Sequence, residues 1–279
     1  MVDIGRLNKL KTVKKAEFGM FLDGGDDGEI LLPRRYVKDE WQVGDEVEVF
    51  VHFDSEDRLV ATTETPKAMV GEFAHLMVKS VENVGAFLDW GLGKDLFLPY
   101  SEQTRDLRVG QAVVVYLYLD KTDRISSSMR LDRYISKEAG DYKEGQQVDL
   151  FVAAQTDLGF KAIINGKHWG MIYTNEIFDR LVHGQKLKGY IKKVREDGKI
   201  DLALQKLGHQ SSEDIGPMIL ARLREEGGYL AINDKTSADL IYDMFGVSKK
   251  KYKMALGDLY KKRIITVKDD GIYLNKSSQ

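Results

Sequence analysis

The sequence predicts a mainly β protein in which three tandem five-stranded barrels precede a smaller α+β domain of three helices and a hairpin. Three observations carry that expectation. Residues 18–33 read FGMFLDGGDDGEILLP and residues 84–99 read VGAFLDWGLGKDLFLP, one phenylalanine-bearing hairpin written twice at an offset of 66. The segments VEVFVHFD (47–54) and VVVYLYLD (113–120) alternate with the period of two expected of half-buried strands. Beyond residue 207 the period lengthens, and Ile215, Ile219 and Leu223 recur at i, i+4 and i+8 on one helix face.

The first unit, residues 1–66, sets the pattern with Gly5, Gly19, Phe21, Pro33, Gly44, Asp54 and Arg58. The second, residues 67–142, repeats it without a gap in Gly71, Gly85, Phe87, Pro99, Gly110, Asp120 and Arg124. An ungapped match over a whole unit is a duplicated domain, not a chance hairpin. A diverged third unit, residues 143–210, follows at an offset of 74, with Gly145, Gly159, Ile172 and Gly184 in register; one added residue brings Lys199 onto the place of Arg124. Its hairpin, LGFKAIINGKHWGMIY, has Lys161 where the second unit has Phe87.

Within a unit, Val47, Val49, Val51 and Phe53 fall on one face of a strand, and Glu48, Phe50, His52 and Asp54 on the other. The second unit repeats this with Tyr116 and Tyr118 outward. About five short strands to a unit, separated by VGD, VGQ and HGQ turns, indicate a small closed or partly open barrel, which removes exposed sheet edges.

Residues 211–279 follow a linker-like GHQSSED (208–214). The first helix ends at Gly227-Gly228. A capping box, Thr236-Ser-Ala-Asp239, opens a second helix running through Phe245. Val247-Ser248 opens a third, SKKKYKMALGDLYKKR, with Tyr252, Leu256 and Leu259 inward. ITVKDDGIYL then forms a hairpin about its Asp-Gly.

Composition bounds the function. With 43% hydrophobic and 31% charged residues, the chain has the make-up of a soluble globular protein and not of a disordered one. Its longest apolar runs, such as AVVVYLYL (112–119), are too short for a membrane helix, and MVDIGRLNKL has no signal-type apolar core. The absence of cysteine excludes disulfides and thiolate chemistry and fits a cytoplasmic location. The net charge of -2 conceals a gradient: Lys and Arg number 9 against 15 Asp and Glu in 1–66, 10 against 11 in 67–142, 11 against 8 in 143–210 and 12 against 10 in 211–279. Polyanion contact is therefore expected in the second half.

The order of these motifs resembles the S1 RNA-binding domain, an OB-type barrel: a glycine-aromatic strand (GMFLD, GAFLD), a strand closing in Leu-Pro or Ile-Tyr-Thr-Asn-Glu, a VGD-type turn, a valine-rich strand ending in Asp and a closing strand. The resemblance covers nearly all of residues 1–207 in three copies. It implies an RNA face at Phe18, Phe21, Pro33, Asp54 and Arg58 in the first copy and at Val84, Phe87, Pro99, Asp120 and Arg124 in the second. In the third, the same positions are Leu158, Lys161, Tyr173, Arg195 and Lys199. Proline stands where the family usually has histidine or an aromatic, and the third copy exchanges rings for cations. Three helices and a hairpin resemble a winged helix, with Lys249, Lys250, Lys251 and Lys253 at the groove-entering start of the third helix. The whole order, three S1-type OB barrels and a winged helix, resembles the conserved virulence factor B family of bacterial RNA-binding regulators.

Exposed rings stack on bases with little sequence preference, and cations neutralise phosphates. Phe87 beside Leu88 has two readings, a stacking ring or a core ring. Phe18 and Phe21 lie beside Glu17, Asp23, Asp26, Asp27, Glu29 and Asp39, which disfavours RNA at the first copy. Lys161, Lys192, Lys193, Arg195 and Lys199 are read as five cations on two neighbouring strands, the main RNA contact. The five histidines form no spaced metal pair, DGGDDGE (23–29) fails the EF-hand spacing and reads as a turn, and no phosphate loop or activated nucleophile is present. The expected protein is a non-enzymatic binder of single-stranded RNA, needing no cofactor or metal, that also meets duplex nucleic acid through its winged helix. The rivals are a DNA-binding transcription factor with the barrels as scaffold, and a nuclease or its accessory subunit.

Overall fold

What closes each sheet into a barrel is a break at the same place in its first strand. In the computed structural model, which describes residues 1–138, 140–177, 180–204 and 215–275 apart from the Asn175 side chain, the register of strand one shifts three times. The shifts fall between Thr12 and Lys14, between Val78 and Ser80, and between Val152 and Ala154. They are spaced by the repeat offsets, and a bulge at such a point bends and twists the strand enough to serve two neighbours.

The first barrel comprises β1 (Leu7–Ala16), β2 (Gly19–Asp23), β3 (Glu29–Pro33), β4 (Glu46–Phe53) and β5 (Leu59–Thr62), closed in the order β1-β2-β3-β5-β4. The second uses β6 (Phe73–Glu82), β7 (Gly85–Asp89), β8 (Leu96–Pro99), β9 (Ala112–Leu119) and β10 (Ile125–Ser128). The third uses β11 (Gln147–Thr156), β12 (Gly159–Ile164), β13 (His168–Tyr173), β14 (Lys186–Val194) and β15 (Ile200–Ala203), and both close as the first does. The repeated Gly-Asp/Gln turns have a local cause. Gly44, Gly110 and Gly184 adopt positive φ, and the Asp45, Gln111 and Gln185 side chains accept the backbone N–H three residues earlier. DGGDDGE is a turn, as its spacing implies: Gly25–Asp27 form a 3-10 turn, and the Asp23 and Asp27 carboxylates accept from the Gly25 and Val2 N–H groups.

The barrels share side chains. Phe50, on the outward face of β4, is fully buried because its ring packs 5.7 Å from Trp90 in the core of the second barrel. Tyr116, one repeat later, stacks at 4.0 Å on Tyr134 of the connector, which with Phe73, Ile135, Phe151 and Ile163 forms a cluster between the second and third barrels. The outward face read in the strand pattern is thus real, and the neighbouring unit covers part of it.

The C-terminal domain has α1 (Ile215–Glu225), β16 (Tyr229–Leu230), α2 (Ala238–Phe245), α3 (Lys249–Lys261), β17 (Ile265–Lys268) and β18 (Gly271–Leu274). Ile219, Leu223, Ile241, Phe245, Tyr252, Leu256 and Leu259 form its core, as their helical spacing predicts. Three details correct the sequence expectation. The second helix is capped by Ser237, which accepts from Leu240 N, while the Thr236 hydroxyl is engaged by Asn233 N. The hairpin turns at Asp269-Asp270 and not at Asp-Gly, since Lys268 pairs with Gly271. Gly271 is required instead by the short strand β16, whose Leu230 carbonyl would lie 2.2 Å from a Cβ there. The GHQSSED linker, Leu207 and His209 lie outside the described residues. Among the described residues, no helix is long and apolar enough to cross a membrane.

Candidate nucleic-acid interface

The hairpin ends of each barrel bring the expected positions onto one outer face. Gly19 pairs with Pro33, Gly85 with Pro99 and Gly159 with Tyr173. Opposite them, Asp54 N donates to the Arg58 carbonyl, Asp120 N to that of Arg124 and Arg195 N to that of Lys199, one turn in three copies. The residue-by-residue correspondence drawn from the sequence is therefore also a geometric one.

On the first barrel Phe18 is 60% exposed and meets Phe21 edge-on at 5.9 Å, with the Lys14 ammonium 5.4 Å from the Phe21 ring. Arg58 donates through Nε and Nη2 to Asp54 Oδ2 and also pairs with Glu56 at 2.9 Å. Partial burial works to raise the Asp54 carboxyl, but the Arg58 and Glu56 N–H groups and the Arg58 guanidinium outweigh it and hold the pKa low. The arginine is thus engaged by two acids, in keeping with the acidic character of this copy.

On the second barrel Phe87 stands outside the buried core cluster. Its ring is half-buried, 5.3 Å from Phe97 on the facing strand, and both line a cleft of about 460 Å³. His52 and Phe53 of the first barrel join that lining, as do Lys94 and Arg124 of the second together with the carboxylates of Glu82, Asp95 and Asp120. The Arg124 guanidinium pairs with Asp57 of the first barrel, while Asp120 Oδ1 accepts from Thr122 N and Oγ1 and from the Arg124 backbone N–H. Lys94 donates at 2.9 Å to the Asp54 carbonyl.

On the third barrel Lys161 stands 3.9 Å over the Trp169 ring, and Arg195 lies 5.7 Å from the Tyr173 ring and donates to its hydroxyl at 2.6 Å. The expectation of two neighbouring strands is corrected: Lys161 is on β12, Lys192 and Lys193 are on β14, and Arg195 and Lys199 flank the β14–β15 turn. In the closed order β12 and β14 are separated by β11 on one side and by β13 and β15 on the other. Four of the five cations meet carboxylates: Lys161 with Asp132 (3.6 Å), Lys192 with Glu176 (2.6 Å), Arg195 with Asp201 (3.0 Å) and Lys199 with Asp197 (2.7 Å). Lys193 is exposed. The ring-for-cation exchange is also partial, because Trp169 and Tyr173 keep two rings on this face.

The winged helix places Lys250 and Lys253 exposed on the first turns of α3, which Ser248 caps by accepting from Lys251 N. Lys249 donates to the Lys235 carbonyl at 3.2 Å, and Lys253 approaches Asp234 at 3.7 Å. The Lys268 ammonium lies 4.7 Å from Tyr273 on the wing, where Tyr229 packs against the same ring at 4.9 Å. Phe97, Trp169 and this wing cluster were not among the residues singled out from the sequence. Phe97 and Trp169 had a signal, since each shares a strand face by period two with a candidate position, Pro99 and Tyr173.

Barrel faces that set rings beside cations, followed by a helix-turn-helix with a wing, are the architecture of a nucleic-acid-binding protein. The S1 domain family model matches residues 4–64 and 70–130, and that of the CvfB-like winged helix domain matches residues 217–274. The third barrel joins the series through its strand order, its bulge and Gly159. The chain thus combines S1 domains with a CvfB-like winged helix domain, and relatives named Conserved virulence factor B align with it along nearly its whole length. It is 25% identical to Conserved virulence factor B of Staphylococcus epidermidis over 98% of this chain and 95% of the relative. It is 27% identical to the Bacillus subtilis protein YitL over 92% of this chain and 89% of that one. Among solved structures, a multidomain protein with nucleic acid binding domains from Streptococcus pneumoniae is 25% identical, with a TM-score of 0.44 and 98% of both chains covered.

Proposed function

We propose that this chain is a non-enzymatic regulator of gene expression that acts in the cytoplasm and binds single-stranded RNA through its third barrel and winged helix. The observation that carries the reading is the pair of cation–ring contacts on one face of the third barrel, Lys161 on Trp169 and Arg195 on Tyr173. A ring offers a base its π-face, worth about 1–3 kcal/mol per base, and an adjacent cation meets the phosphate. Neither contact selects a sequence strongly, so low specificity follows, and several weak sites on one chain add through effective concentration.

The test is a titration of the full chain, at several salt concentrations, against a labelled single-stranded RNA and a matched DNA duplex. Substituting Lys161, Arg195 and Lys199 together is expected to weaken RNA binding more than substituting Phe18 and Phe21. Equal or reversed losses would remove the third barrel from the reading. A second reading, duplex DNA on the winged helix, is favoured by the exposed lysines at the start of α3, and preference for the duplex would select it.

A further inference from the structure

The connector between the second and third barrels crosses the candidate face of the third. It is pinned at both ends: Ser136 N donates to the Lys167 carbonyl at 2.8 Å, and the Tyr142 hydroxyl meets His168 Nδ1 at 2.8 Å. Tyr134 and Ile135 pack into the cluster between the barrels, so the preceding 3-10 turn, Leu131–Arg133, has a fixed position. Below the connector lies a cleft of about 380 Å³ lined in part by Lys161, His168, Trp169, Met171 and Lys199. Its volume is at the small-ligand end of binding clefts, and it combines an indole face and a thioether with the ammonium groups of Lys137, Lys161 and Lys199 and the carboxylates of Glu138 and Asp197.

Asp132 projects from that turn onto this group. Its carboxylate accepts the Trp169 indole N–H at 2.7 Å and stands 3.6 Å from the Lys161 ammonium, which itself covers the Trp169 ring at 3.9 Å. The three side chains form a closed set in which a carboxylate holds the cation and the cation screens the ring. A base that stacks on Trp169 must displace Lys161, and a phosphate that takes Lys161 must displace Asp132.

We propose that this cleft holds one nucleobase with its phosphate, and that Asp132 is a built-in competitor that occupies Lys161 and Trp169 while the cleft is empty. This rests on the RNA-binding reading above and adds to it a defined pocket and a residue that opposes binding. The Asp132 side chain is 82% exposed, so its hold is that of a surface ion pair, modest and sensitive to salt.

The experiment uses the full chain, with labelled single-stranded oligoadenylate and with adenosine 5′-monophosphate as probes. Asp132→Asn is expected to bind the oligonucleotide about threefold more tightly at low salt, a gain that fades as salt is raised. Asp106→Asn, the same charge change on the second barrel, is expected to leave binding unchanged. Adenosine 5′-monophosphate is expected to quench tryptophan emission in the native chain and not in Trp169→Phe. Asp132→Asn binding no more tightly than the native chain or Asp106→Asn would overturn the competitor, and quenching that survives in Trp169→Phe would overturn the cleft. Failure of the native chain to bind RNA would sink the broader reading, while a Trp169-dependent quench would still support the cleft.

Discussion

At the scale of single residues, the repeated glycine after the start of strand two is fixed by what lies across from it. A Cβ at Gly19, Gly85 or Gly159 would stand 2.2, 2.3 or 2.1 Å from the carbonyl oxygen of Leu32, Leu98 or Ile172, a distance that backbone cannot relieve by a rotamer change. Gly110 differs: its φ is +80° but a Cβ there meets nothing within 4 Å. Gly85→Ala is therefore expected to cost about 3 kcal/mol or more, and Gly110→Ala about 1–2 kcal/mol, read from urea midpoints. Similar losses at the two sites would remove the close-approach argument. These glycines were legible in the sequence because the repeat displays them three times. Phe97 and Trp169 were harder to find, since each occurs in one copy only and its partner is across a strand pair.

At the scale of elements, the amphipathic pattern located the helices, and the departures from it were local. Ser237 and not Thr236 caps α2, because Thr236 is used by the preceding turn through Asn233 N. The wing's Gly271 was read as a turn residue when its role is to admit β16, a two-residue strand too short to leave a periodic signal. Within α3, Tyr252 was rightly placed inward, but at the cost of a hydroxyl that has no hydrogen-bond partner among the described residues. Burial raises its pKa far above the tyrosine norm, so it stays neutral. Since an unsatisfied buried hydroxyl costs about 1–3 kcal/mol, Tyr252→Phe is expected to stabilise the C-terminal domain by about 1 kcal/mol. A thermal midpoint for that domain that falls on substitution would show that the hydroxyl makes a contact after all.

At the scale of the whole molecule, the repeat revealed the units but not how they join. The outward aromatic of strand four serves as the joint, yet Phe50 uses Trp90 of the next barrel whereas Tyr116 uses Tyr134 of the connector. An offset common to both copies cannot distinguish two such partners. One joint also carries a titratable group. His52 lies on β4 in the cleft between the first two barrels, close to Lys94, Asp54 and Glu64. Its Nδ1 is 3.1 Å from the Phe53 carbonyl, which can only accept, so Nδ1 is the donor. Burial lowers its pKa below 6.5, and Lys94 adds to that, while the Phe53 carbonyl, Asp54 and Glu64 pull the other way. A histidine whose folded pKa is depressed binds its proton more readily in the unfolded chain. Its neutral form therefore gives the joint its full stability above the unfolded value of about 6.5, and that contribution is lost as the pH falls towards the folded pKa. His75, beside His183 at the next junction, shifts in the same direction, through burial and then through its neighbour's charge. Acidification should thus loosen both junctions. Hydrogen–deuterium exchange of the 46–53 segment, corrected for intrinsic rates, is expected to speed up between about pH 7 and about pH 5.5. His52→Gln keeps a donor for Phe53 and cannot titrate, so its exchange in that segment should vary less with pH. Equal pH dependence in the native chain and His52→Gln would acquit His52 and leave the acid response to His75.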